Sequence, residues 1–168
     1  MTADQWIERG EELFELSKYS EAEAAFAKAT AIEPQDALAW NNLGIALRNQ
    51  DKYIEAEEAF RCATEFGPED AGAWTGLGDA LDEQKRYAEA QEAYQCAVEI
   101  DPQNARAWNY LGFVLRNRDK YSEAEKAFKR AVDIDCQYVR AWYGLGFALR
   151  SQDKYSEAEM AYQRAVDI

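Results

Sequence analysis

Apolar and small residues recur along this chain at helical spacing, in short stretches separated by polar turns. Trp40, Leu43, Gly44 and Leu47 stand at i, i+3, i+4 and i+7, one face of a 3.6-residue helix. Ala56, Phe60 and Ala63 follow the same logic at i, i+4 and i+7, so the two stretches predict paired helices of about 14 residues each. The pair then repeats. Leu77, Gly78 and Leu81 go with Ala90, Tyr94 and Ala97, and Leu111, Gly112 and Leu115 go with Ala124, Phe128 and Ala131. Leu145, Gly146 and Leu149 go with Ala158, Tyr162 and Ala165. Trp6, Trp40, Trp74, Trp108 and Trp142 recur every 34 residues, as do Tyr19, Tyr53, Tyr87, Tyr121 and Tyr155. A fixed period of this length is the signature of a helical repeat array. Such an array has no single globular core, only interfaces shared by neighbours.

The repeats are placed at 3–36, 37–70, 71–104, 105–138 and 139–168, the last one truncated, with residues 1–168 forming one array. Pro34, Pro68 and Pro102 fall after the second helices, where proline stops one element and pre-sets the next turn. Asp36, Asp70 and Asn104 follow as N-caps of the next first helices. Cys136 and Tyr138 replace proline and cap before the fifth repeat, so that junction is expected to be looser. Asp51, Asp119 and Asp153 end first helices, and aspartate tolerates the turn backbone needed there. Gly10, Gly44, Gly78, Gly112 and Gly146 lie mid-helix, where glycine costs roughly 1 kcal/mol relative to alanine. Repetition of that cost points to a close approach between helices that leaves no room for a side chain.

The order Trp, Leu-Gly, an apolar residue, Tyr, Ala, an aromatic, Ala and Pro resembles the tetratricopeptide repeat family over nearly the whole chain. Leucine stands where the family usually has tyrosine, at Leu13, Leu47, Leu81, Leu115 and Leu149. Ser17, Asp51, Lys85, Asp119 and Asp153 replace the usual turn glycine, and the first repeat has Arg9 before Gly10. The resemblance implies an all-α, right-handed superhelical solenoid of antiparallel helix pairs, with a concave groove lined by the first helices.

Mapped onto this sequence, the family's groove positions give five rows. The first, with Asp4, Glu8, Glu11 and Glu15, is acidic, and the third, with Asp79, Asp82 and Glu83, largely so. Candidate peptide-binding residues come from the other three: Asn41, Asn42, Ile45 and Arg48; Arg106, Asn109, Tyr110, Phe113 and Arg116; and Arg140, Tyr143, Phe147 and Arg150. Arginine can grip carboxylates, the rings supply contact area, and asparagine offers both donor and acceptor to a peptide backbone. The competing reading is that Arg106 and Arg116 pair with acidic neighbours while the rings pack against their stems. Some family members clamp a chaperone's C-terminal carboxylate with Lys, Asn and Arg. The matching positions here are Ile7, Glu11, Asn42, Gly72 and Gly76, of which only Asn42 fits, and no shifted register rebuilds the clamp.

Charge narrows the partner class. With 19 basic and 32 acidic residues the net charge is −13, which disfavours nucleic acid and anionic membranes. No run of 18 apolar residues predicts a membrane span, and the opening MTADQWIERGEELFEL lacks the basic-then-apolar order of a secretory signal. Cys62, Cys96 and Cys136 have no metal-ligand spacing, which favours packing roles and a reducing, cytoplasmic setting. There is no histidine and no glycine-rich loop after a strand, so no enzyme is expected. Asp79, Asp82 and Glu83 lie on a helix and cannot gather the ligands of a cation loop, so neither cofactor nor metal is expected.

The expected function is a non-catalytic interaction module, a scaffold holding a protein or peptide with acidic groups and apolar anchors, without the chaperone-tail clamp. Two alternatives stand beside it. Met160, Tyr162, Val166 and Ile168 form an uncapped C-terminal end through which copies would associate head to tail, the acidic first row meeting the arginine-rich last rows. The chain would otherwise be a fragment of a larger multidomain scaffold.

Overall fold

The computed structural model describes all 168 residues and contains ten α-helices and no strand. They are α1 (Ala3–Glu15), α2 (Tyr19–Ile32), α3 (Ala37–Arg48), α4 (Tyr53–Phe66), α5 (Ala71–Glu83), α6 (Tyr87–Ile100), α7 (Ala105–Asn117), α8 (Tyr121–Ile134), α9 (Val139–Arg150) and α10 (Tyr155–Asp167). The chain divides into two compact units, Met1–Arg86 and Tyr87–Ile168. In the first, α1 pairs with α2 and α3 with α4, while α2 packs on α3, α4 on α5, and the first helices α1, α3 and α5 meet side by side. In the second, α7 pairs with α8 and α9 with α10, α6 packs on α7, α8 on α9, and α7 meets α9.

Each first helix ends in the same turn. Ser17, Asp51, Lys85, Asp119 and Asp153 have φ between 58° and 60°, the left-handed region normally left to glycine. At Asp51 the N–H bonds the Arg48 carbonyl at 3.0 Å and the next N–H, of Lys52, bonds the Leu47 carbonyl at 3.1 Å, satisfying two helix-end acceptors. The aspartates bring a second bond, because Tyr53 donates to Asp51 at 2.7 Å and Tyr155 to Asp153 at 2.6 Å. Tyr121 does the same to Asp119. That bond, ahead of any burial, pushes the phenol pKa up at all three tyrosines, to about 12 at Tyr53. Lys85 has the strained backbone without such a bond. Left-handed backbone costs a residue with a Cβ roughly 1–2 kcal/mol, and glycine's extra freedom when unfolded returns roughly 0.5–1 kcal/mol of that. Lys85→Gly is therefore expected to stabilise by about 0.5–1 kcal/mol in urea denaturation, with Asp51→Gly gaining less.

The caps expected at Asp36, Asp70 and Asn104 are present. Asp36 accepts from the Leu38 and Ala39 N–H groups, Asp70 from Gly72 and Asn104 from Ala107. Tyr138 makes no such bond before α9. What holds that junction is the indole of Trp142, which donates to the Cys136 carbonyl at 2.9 Å, as Trp40, Trp74 and Trp108 do to Pro34, Pro68 and Pro102. The junction expected to be looser loses its cap and keeps this tie.

Gly10, Gly44, Gly112 and Gly146 have the packing role expected of the mid-helix glycines. A Cβ on Gly112 would come within 2.7 Å of the Phe128 ring, and one on Gly44 within 2.8 Å of Phe60. Two further glycines do the same from the next repeat: Gly144 closes on Phe128 and Gly76 on Phe60. Phe60 and Phe128, both fully buried, are thus each gripped between glycines of two successive first helices.

A polar clasp ties second helices to the turn that follows in the next repeat. Glu125, buried on α8, accepts from Gln152 at 2.9 Å, Lys154 at 2.7 Å and Lys129 at 2.6 Å. Glu57 on α4 is held in the same way by Gln84, Arg86 and Arg61, and Glu23 on α2 by Gln50 and Lys52.

Candidate peptide-binding faces

The thirteen residues singled out from the sequence fall into two sets, one in each unit. In the first unit two of them, Arg48 and Asn42, are bonded through their side chains to their own chain. Arg48 pairs with Asp79 on α5, the two side chains only 27% and 13% exposed. Asn42 donates to Glu11 at 3.3 Å, and the Ile45 carbonyl accepts from Asn49 at 2.8 Å. The Asn41 side-chain oxygen is buried without a partner. Ile45 itself is half-buried.

The second unit differs in kind. Its first helices α7 and α9 carry four arginines and no acidic residue, whereas α1 carries Asp4, Glu8, Glu11, Glu12 and Glu15 against one arginine, Arg9. The Arg116 guanidinium lies over the Phe113 ring at 4.8 Å and the Phe147 ring at 5.2 Å, with a hydrogen bond to Asn117 at 3.1 Å. The Arg106 guanidinium lies over the Tyr110 ring at 5.3 Å and donates to its hydroxyl at 3.1 Å. Tyr110 stacks on Tyr94 of α6, Phe113 stands edge-on to Phe128, and Tyr143 tilts against Tyr162 of α10. Arg140, Tyr143 and Arg150 are exposed, Tyr143 by 56%.

One candidate does not belong to the face. Asn109, read as a ligand for peptide backbone, is 0% exposed, and neither its side-chain nitrogen nor its oxygen has a hydrogen-bond partner. Asn109 stands four and seven residues before Phe113 and Arg116, on the same side of α7, but with α6, α8 and α9 packed around that helix its side chain is closed to solvent.

Tyr138 joins the face unannounced. Burial pushes its phenol pKa up, as does neighbouring Tyr110, against the pull of Arg106 and Arg140 beside it. The sequence signal was its departure from the Asp or Asn that caps the other first helices.

Register separates the two units. Arg48 and its partner Asp79 are 31 residues apart, on successive first helices. The same step from Arg116 leads to Phe147. Where the first unit neutralises its arginine with a carboxylate, the second seats it on rings with one N–H bonded to the neutral Asn117 and no carboxylate paired to it.

No group of three or more His, Cys, Asp or Glu residues could hold a metal ion. The thiols of Cys62 and Cys96 are pushed up in pKa, first by burial and then by nearby glutamates, which disfavours the nucleophilic thiolate. No helix is long and apolar enough to cross a membrane.

Comparison with known proteins agrees with the architecture. A family model described as tetratricopeptide repeat matches residues 75–138 and 114–168, another so described matches 35–103, and a TPR repeat model matches 10–51. No curated protein matches the chain. Among solved structures, a fragment of MamA from Desulfovibrio magneticus RS-1 superposes with a TM-score of 0.90 at 22% identity, covering 98% of this chain and 93% of its own. PilF of Pseudomonas aeruginosa gives 0.85 at 23%, covering 98% and 75%. YrrB, described as a TPR protein with an unusual peptide-binding site, gives 0.84 at 23%, covering 96% and 84%. These likenesses are of fold, and with the family models spanning residues 10–168 the chain belongs to the tetratricopeptide repeat family.

Proposed function

We propose that this protein is a non-catalytic interaction scaffold whose second unit binds a peptide segment bearing acidic groups and apolar anchors. The observation that carries this reading is the exchange of partners at one register, the Arg48–Asp79 ion pair against Arg116 on Phe113 and Phe147. A guanidinium stacked on rings is held in place, and its planar fork suits bidentate capture of a carboxylate. Tyr110, Tyr143 and Phe147 supply rigid apolar contact area of the kind that dominates peptide affinity. The chaperone-tail clamp gains no support, since Asn42, the one matching residue, bonds Glu11. The peptide-binding site described for YrrB is consistent with a peptide as the class of ligand.

Head-to-tail self-association gains less support. Where α3 and α5 bury Ala39, Ala46, Ala73 and Ala80 against their neighbours, α1 carries exposed Gln5 and Glu12 at the same repeat positions. The outer side of α1 is therefore polar at these two positions.

The test is an array of fluorescent peptides combining Asp or Glu with Phe, Leu or Ile, read by anisotropy against the wild type and Arg116→Ala/Arg140→Ala. The double variant should bind the captured peptides about tenfold or more weakly, the scale of losing a charge-assisted contact. Equal capture by both proteins would sink the reading. Raising salt to about 0.5 M should weaken wild-type binding as well, because exposed charges are screened.

A further inference from the structure

Helices α4 and α8 each seat the next first helix, and the two seats share one chemistry. The Phe60 ring meets Gly76 of α5, and the Phe128 ring meets Gly144 of α9. Glu57 and Glu125 accept from residues eight and ten positions beyond that glycine, Gln84 with Arg86 and Gln152 with Lys154. Arg48 and Arg116 take the residue three beyond it, Asp79 or Phe147. Alanines three before and four after the glycine lie on the same side of the helix. They are Ala73 with Ala80 and Ala141 with Ala148, all fully buried. Where the seat's ring is Tyr94, Tyr110 takes the glycine's place and stacks on it.

Helix α10 carries the same seat without a helix in it. Tyr162, Glu159 and Arg150 stand 34 positions after Phe128, Glu125 and Arg116. With Ala158 and Val166 they line a recess of about 310 Å³. Val166 is 78% exposed, whereas its counterpart Val132 on α8 is 5% exposed. Glu159 is exposed where Glu125 is buried, and Gln163, bonded to Asp167, stands where Lys129 reaches Glu125. The seat thus joins an uncovered apolar floor to a carboxylate without the cation of its own helix.

We propose that this seat docks a helix of a partner protein, together with the turn that ends it. The helix presents glycine or a flat ring to Tyr162, with alanines three before and four after. A ring or carboxylate three beyond meets Arg150, and an amide and a cation eight and ten beyond meet Glu159. Helix α1 of a second copy does not meet these terms, because Gln5, Glu8 and Glu12 stand where the seat takes alanine, glycine and alanine.

The probe is a fluorescein-labelled peptide of residues 139–154 carrying Trp142→Gln for solubility. Leu145→Lys and Leu149→Asp are joined in it as a lactam, which holds the helix. Anisotropy titration with the full chain should show saturable binding at one to one. Val166→Glu or Glu159→Lys in the chain should weaken it about tenfold or more, as should Gly144→Leu in the peptide. Lys154→Glu in the peptide should recover the loss caused by Glu159→Lys, because opposite charges then face each other again. No binding, or binding indifferent to these changes, overturns the docking. A dimer of the full chain in sedimentation equilibrium that Val166→Glu dissolves would give the seat to a second copy and overturn it as well.

Discussion

Phe128→Ala is expected to remove about 3–5 kcal/mol of stability, the scale of a buried aromatic truncated to alanine. The site has little means of collapsing to recover the loss. Phe128 is fully buried, its ring touches the backbone of α7 at Gly112 and of α9 at Gly144, and Phe113 stands edge-on at 5.2 Å. Glycines have no side chain to swing into the vacated space, so most of the cavity persists. Conversely, Gly144→Leu drives a side chain into the ring and should cost about 1–3 kcal/mol through overpacking. The two substitutions are coupled. In the Phe128→Ala background Gly144→Leu should be nearly neutral or favourable, because the added side chain then fills the hole. Denaturation midpoints for the four proteins give the cycle. Additive costs would mean that the ring and the glycine do not share one space.

Acidification between about pH 4.5 and 2 is expected to remove about 1–3 kcal/mol through Glu125, the scale of charge-assisted hydrogen bonds made to a buried carboxylate. Burial by itself raises this carboxyl's pKa. The hydrogen bonds from Lys129, Lys154 and Gln152 outweigh it and hold the pKa at about 2, below the ordinary 4.5. A folded-state pKa below the unfolded one means that the unfolded chain binds the proton first. The stabilisation is then complete above the unfolded value and is lost as pH falls through the folded one. Glu57 and Glu23 are lowered against burial by the same kind of clasp and steepen the acid limb. Glu125→Gln should be less stable at pH 7 and show a shallower decline between pH 4.5 and 2. An unchanged acid limb in Glu125→Gln would show that the clasp does not set it.

Much of the fold could be read before the structure, because the residues that make it are local or periodic. The Trp–Leu–Gly faces, the caps at Asp36, Asp70 and Asn104, and the left-handed turn at Asp51 each depend on residues within one helix or one turn. The site was less legible because its character depends on pairs one repeat apart. Arg48 and Arg116 occupy the same repeat position and look alike in sequence, yet the residue 31 positions on makes one a neutralised ion pair and the other a cation on a ring. Asn109 was misread for a related reason, since its exposure is decided by three neighbouring helices rather than by α7 alone. Gly76 and Gly144 form the second jaw of the ring grip for the same reason, each meeting a ring that belongs to the preceding repeat.

Restoring the first unit's chemistry in the second provides the most direct measurement. Phe147→Asp places a carboxylate at the register of Asp79, within reach of Arg116, and removes one of the rings that seat it. Anisotropy titration with the best acidic peptide from the array, in wild type and Phe147→Asp, should show binding weakened at least tenfold while the circular dichroism stays helical. Undiminished affinity in Phe147→Asp would contradict the claim that Arg116, seated on rings rather than paired with a carboxylate, makes this face a receptor.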